Sequence, residues 1–213
     1  MTTIKACGFT RAEDVAAAER LGVDWIGLVF APSKRRVEVE QAARLRAGTR
    51  LRCMGVFVDA GIEKVRETAR RVGLDGVQLH GVESPEDCRR LRDEGLFVVK
   101  AFSALLERPG AAAAYKGRRR CRARRRRGSG ERGGRGQTFR WQDIPEWRKG
   151  AEGFFLWIAG GLRPENVQEL LRGYRPDGVD VSSGIETGVP GVKDVARMEE
   201  FVRKVREWDD GTR

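Results

Sequence analysis

The chain has 213 residues, 40% of them hydrophobic and 34% charged, which suits one large domain able to bury its own core. No apolar run approaches the roughly 18–20 residues of a membrane span, and the 27 glycines follow no collagen period, so membrane-embedded and fibrous classes are excluded. The net charge of +11 would ordinarily suggest a polyanionic partner, but eight arginines fall within the ten positions 118–127, and 11 − 8 leaves only +3 for the rest. Arginine outnumbers lysine 34 to 8, a bias that GC-rich coding DNA produces. The opening Met1-Thr2-Thr3-Ile4-Lys5 lacks the regions of a signal peptide, so a cytoplasmic address is expected. Cys7, Cys53, Cys88 and Cys121 are widely spaced, which matches neither a zinc cage nor a disulfide framework and predicts reduced thiols and no metal.

Short β-branched runs alternate with amphipathic stretches of about a dozen residues, the pattern of βα units around a parallel sheet. Strands are predicted at residues 4–8, 25–30, 53–58, 76–79, 97–102, 154–159 and 178–181. Helices are predicted at residues 11–20, 39–47, 62–72, 85–94, 164–171 and 195–208. Seven strands with regular spacing, and no Gly-x-Gly-x-x-Gly after the first, favour a single (β/α)8 barrel over residues 1–213 rather than an open doubly wound sheet. The missing sixth strand belongs between residues 102 and 154, where the anomalous arginine tract lies. Eight arginines are a poor fit to a central strand, because a buried unpaired charge costs several kcal/mol. The expectation is a disrupted strand six, with the tract as a disordered or loosely helical excursion.

Barrel chemistry sits at the C-terminal ends of the strands. Here those ends are Lys5-Ala6-Cys7-Gly8, Gln78-Leu79-His80-Gly81, Ala159-Gly160-Gly161 and Asp180-Val181-Ser182-Ser183-Gly184. The glycines after strand seven and the Ser-Ser-Gly after strand eight present backbone N–H groups suited to a phosphate. Cys7 is either an inert core thiol or a base with a lowered pKa. His80, the only histidine, suits a structural hydrogen bond as well as it suits catalysis.

Taken together with Gly55-Val56-Phe57-Val58, Ile158 to Val167 and Val179 to Glu186, these endings resemble phosphoribosylanthranilate isomerases over almost the whole chain. The resemblance implies a cofactor-free Amadori rearrangement of a small phosphosugar by a monomer or homodimer, with neither nucleic acid nor membrane as partner. It implies Cys7 as general base and Arg35 at the anthranilate end, with Arg36 as the alternative because the loop is one residue short. It places Gly160, Gly161, Ser183 and Gly184 at the phosphate, and Asp180, Gln78 and His80 along the pocket.

One departure concerns the acid, an aspartate that the family carries at the end of strand six. Arg124 or Arg125 occupies its place, and Glu131 is a nearby carboxylate that could substitute. The family pattern resumes at Gly133-Gly134-Arg135-Gly136-Gln137-Thr138-Phe139. Read one base later, one permitted codon set for residues 118–126 encodes Ala-Asp-Ala-Val-Glu-Leu-Asp-Ala, whose second aspartate straddles the codons of Arg124 and Arg125. The hypothesis that follows is a local frame shift, checked by sequencing the coding DNA across the tract. The competing function is a catalytically impaired barrel that binds nucleic acid through residues 116–135, although residues 118–136 contain no aromatic platform for stacking.

Overall fold

The computed structural model describes residues 1–103, 107–115, 121–126 and 140–212, with residues 103 and 121–126 described by their backbone. Eight parallel strands close into one barrel in chain order: β1 (Thr3–Cys7), β2 (Trp25–Val29), β3 (Arg52–Phe57), β4 (Gly76–Leu79), β5 (Phe97–Ser103), β6 (Cys121–Arg126), β7 (Phe155–Ala159) and β8 (Gly178–Val181). The helices are α1 (Ala12–Arg20), α2 (Val39–Ala47), α3 (Ile62–Val72), α4 (Pro85–Asp93), α5 (Ile144–Gly150), α6 (Val167–Tyr174) and α7 (Val195–Gly211). The connection after β5 carries a 3₁₀ turn, Pro109–Tyr115, where the other connections carry an α-helix.

The sequence explains the layers. In β2 every residue is buried, as a strand covered on both faces requires. Its inward Trp25 meets Met54, Val99 and Trp157 in one interior layer, with Phe97 packed against it. Gly178 makes room there, since a Cβ would lie 2.7 Å from the Trp157 ring. The outward residues Ile4, Ile26, Leu79, Val98, Ile158 and Val179 join the main core beneath the helices. On α3, Val65, Thr68, Ala69 and Val72 are buried at the i, i+3, i+4, i+7 spacing of one helix face. Ser84 and Asp87 form a reciprocal capping box at the start of α4, with Pro85 in the first turn.

The sixth strand is a correction to the sequence reading. Residues Cys121–Arg126 run parallel to both neighbours, from Val98↔Cys121 to Ser103↔Arg126 on β5 and from Arg122↔Phe155 to Arg125↔Ile158 on β7. The physical reason is that ladder hydrogen bonds come from the backbone, which arginine supplies as any residue does. Filling the position also removes two open sheet edges. The remaining tract residues, 118–120 and 127, lie outside the described residues, as does Glu131.

Candidate active site

Cys7 ends β1 with its side chain inside the barrel mouth and only 8% exposed. Its neighbour Gly27 on β2 must lack a side chain, because a Cβ there would lie 2.7 Å from Cys7 Sγ and 2.8 Å from Lys5 Nζ. The thiol and the Lys5 ammonium therefore crowd one point. Lys5 Nζ donates to Asp180 Oδ2 at 2.9 Å, and both side chains are fully buried. The two residues sit in register on β1 and β8.

A second ionic group lies on the other side of Cys7. Lys193, from the loop before α7, donates to the Cys7 carbonyl (2.7 Å), to Glu186 Oε1 (3.0 Å) and to the Ser182 carbonyl (3.4 Å). Glu186 in turn accepts from Arg35 Nε (2.7 Å) and Nη2 (2.6 Å). Arg35 lies over Gly8, where a Cβ would meet its Cδ at 2.5 Å and where φ is +83°. Burial alone would raise the Glu186 pKa, but the Arg35 and Lys193 contacts outweigh it and hold the carboxyl below its ordinary range. Hydrogen bonding to Glu186 raises the Arg35 guanidinium pKa, with the Cys7 charge adding to it. Arg36 instead pairs with Glu38 at 3.0 Å, both about half exposed or more. Of the two candidate arginines, the structure thus puts Arg35 beside Cys7.

The loops after β7 and β8 meet. Gly160 and Gly161 both have positive φ, and Gly184 opposes them so closely that a Cβ would lie 2.0 Å from the Leu162 carbonyl oxygen. Ser182 Oγ donates to the Cys7 carbonyl at 3.0 Å, which ties the start of this cradle to the end of β1. Ser183 and Gly184 begin the 3₁₀ turn Ser183–Ile185.

Gln78 and His80 belong to a separate network at the end of β4. Gln78 is fully buried and its Nε2 contacts His80 Nε2. Beside them Glu83 accepts from Gly81 N (2.9 Å) and Asp59 N (3.3 Å) and pairs with the buried Lys100 (3.3 Å). Position 124 is level with Ala101 and with Trp157, whose ring lies in the interior layer. Position 125 is level with Phe102 and Ile158, which face the helices. Among the described residues no group of three or more His, Cys, Asp or Glu could hold a metal ion, and no helix is long and apolar enough to cross a membrane.

Lys5, Gly27, Glu186 and Lys193 were not singled out by the sequence reading. Lys5 stood in the quoted motif, and an inward cation on a barrel strand demands a partner, which was the available signal. The Lys193 contact, spanning 186 positions, left no local trace.

Residues 4–204 match the family of N-(5'-phosphoribosyl)anthranilate (PRA) isomerases. The chain belongs to this family. Similar relatives include the N-(5'-phosphoribosyl)anthranilate isomerases of Brevibacillus brevis, 38% identical over 97% of this chain and 94% of that one, and of Myxococcus xanthus, 41% identical over 95% of each. Among solved structures, the phosphoribosyl anthranilate isomerase of Thermotoga maritima superposes with a TM-score of 0.83 at 33% identity, over 97% of this chain and all of that one. A further family structure, solved with reduced 1-(o-carboxyphenylamino)-1-deoxyribulose 5-phosphate, gives 0.80 at 30% identity, also over 97% of this chain and all of that one. The family match runs through the arginine tract, and nothing in these likenesses favours the nucleic-acid reading.

Proposed function

We propose that the chain catalyses the Amadori rearrangement of N-(5-phosphoribosyl)anthranilate to 1-(2-carboxyphenylamino)-1-deoxyribulose 5-phosphate in tryptophan biosynthesis. The observation that carries this reading is Cys7 at the barrel mouth, with Arg35 over the adjacent Gly8 and Ser182 Oγ joining the Cys7 carbonyl to the loops of Gly160-Gly161 and Ser183-Gly184. In this reading the substrate's carboxylate lies at Arg35, its phosphate at the two loops and its sugar carbons over Cys7. Protonation of the ring oxygen opens the furanose to an imine. The Cys7 thiolate then takes the C2 proton to give the enolamine, which becomes the ketone when C1 is protonated. Asp180 and, across the barrel, Gln78 and His80 line the pocket in this reading.

The proton donor is the weak point of the chain as written. A guanidinium does not release its proton near neutral pH, so Arg124 or Arg125 cannot serve as the acid. Turnover is therefore expected to be roughly 10² to 10⁴-fold below that of a chain carrying the alternative reading of residues 118–126. The test follows the loss of substrate fluorescence in both chains. Isomerisation in the restored chain, abolished by Cys7→Ala, is the expected result. An inert restored chain would overturn the function, and a Cys7→Ala variant that still turns over would overturn the base. A cytoplasmic monomer or homodimer suits this reading, and light scattering on the purified protein distinguishes the two states.

A further inference from the structure

Two ionic clusters flank Cys7, and they differ in charge balance. Lys5 and Asp180 form a one-to-one pair. Arg35, Glu186 and Lys193 bring two cations to one carboxylate. Asp14 on α1 lies near Lys193 but accepts from its backbone N (3.0 Å), not from its ammonium. The second cluster thus carries one net positive charge, and the Lys193 side chain, paired with Glu186, is wholly buried.

The contacts of Lys193 fix its protonation state. Its Nζ faces three oxygens, those of Cys7, Ser182 and Glu186, and sits 5.3 Å from the centre of the Phe9 ring. Three acceptors match the three donors of an ammonium, whereas a neutral amine would direct a lone pair at one of the oxygens. The aromatic face also favours a cation. Burial pulls the lysine pKa below its ordinary range, the Glu186 carboxylate works against that loss and the Arg35 guanidinium adds to it.

We propose that Lys193 is a positioning residue for the isomerisation, its buried ammonium serving as the counter-cation that keeps Cys7 in the thiolate form, while Glu186 limits the excess positive charge. This deepens the assignment of Cys7 as base and rests on that assignment. Sequence gives no hint of it, because Lys193 acts through the Cys7 backbone and field, from the far end of the chain.

The test uses the alkylation of Cys7 by iodoacetamide in the full chain, resolved by peptide mass spectrometry. The rate near pH 7 is divided by each protein's own high-pH plateau, so that access cancels and thiolate content remains. Cys53, whose thiol is pushed by burial up to about 12, serves as an internal control that stays protonated near neutral pH. Lys193→Gln is expected to lower the normalised rate roughly ten-fold, the scale of one charge removed from a partly buried site. Glu186→Gln is expected to raise it, since two cations then remain without their carboxylate.

Opposite signs are the signature of a charge role. Equal acceleration in both variants, or no change in either, would overturn the proposal and leave Lys193 as packing. If Lys193→Gln does not fold, the Glu186→Gln result decides: acceleration supports the counter-cation, and an unchanged or slower rate refutes it. The readout needs no turnover, so it is distinguishable from failure of the functional reading. Normalised rates that move as expected beside a Cys7→Ala enzyme that still isomerises would keep the charge pairing and discard the base.

Discussion

Lys5 and Asp180 form a buried pair in which a part in stability and a part in chemistry can be separated by experiment. Each is wholly buried, each is the other's charge partner, and the ammonium crowds the Cys7 thiol across Gly27. Lys5→Met takes the buried ammonium away from the Asp180 carboxylate, so destabilisation of about 3–5 kcal/mol is expected in urea unfolding. Adding Asp180→Leu should recover most of that loss, because an apolar pair of similar volume suits a buried site. Activity in the restored chain should not return with it. Recovery of turnover in the double variant would show that the pair does no more than hold the fold. Gly27→Ala tests the same point from β2: its Cβ displaces either the thiol or the ammonium, and turnover is expected to fall while Gln78 and His80 keep their contacts.

At the level of elements, the proposed phosphate cradle depends on two loops whose backbones come close. Gly184→Ala would put a Cβ 2.0 Å from the Leu162 carbonyl oxygen, and a backbone atom cannot rotate away as a side chain can, so the loops must part. Affinity for the reduced product analogue is expected to drop at least ten-fold by calorimetry, an effect of at least about 1.4 kcal/mol. The strand register makes a second prediction. Position 124 is level with Trp157, which packs in the barrel interior, and position 125 with Phe102 and Ile158, which pack under the helices, so Arg124→Asp should raise turnover and Arg125→Asp should not. An equal gain from both would contradict that register. Seven strands were legible because their β-branched, apolar runs report burial on both faces. β6 was not, because its side chains carry no such signal and its backbone pairing depends on edges supplied by β5 and β7. α5 was missed for a related reason: its seven residues include only two buried side chains, Ile144 and Trp147, too few to reveal a period. The candidate site was legible where its groups stand in consecutive residues at strand ends, as at Cys7 and Gly160-Gly161, and illegible where Lys193 reaches Cys7 from the end of the chain.

Across the whole molecule, the two rims of the barrel have different duties. At the N-terminal rim, Thr2 N donates to both oxygens of Asp209 at 2.9 Å and Thr2 Oγ1 adds a 2.8 Å bond, which clasps the start of the chain to α7. Arg206 extends the clasp to the Thr2 carbonyl (2.8 Å) and to Asp24 (2.9 Å), and Asp24 accepts from Ile4 N (2.8 Å). These bonds close the seam between the start of β1 and α7, Thr2 and Asp209 lying 207 positions apart, and all lie on the rim opposite Cys7. Asp209→Ala leaves the Thr2 donors and Arg206 without their shared carboxylate, a loss of roughly 2 kcal/mol for charged hydrogen bonds in a largely buried place. For a chain of this length that corresponds to a fall in Tm of about 4–8 °C. The same variant should bind the reduced product analogue as tightly as the parent at 25 °C, because a rim that holds the fold is separated from the rim that holds the substrate. A large loss of analogue affinity at a temperature where the variant is fully folded would show instead that the seam transmits strain along β1 to Cys7.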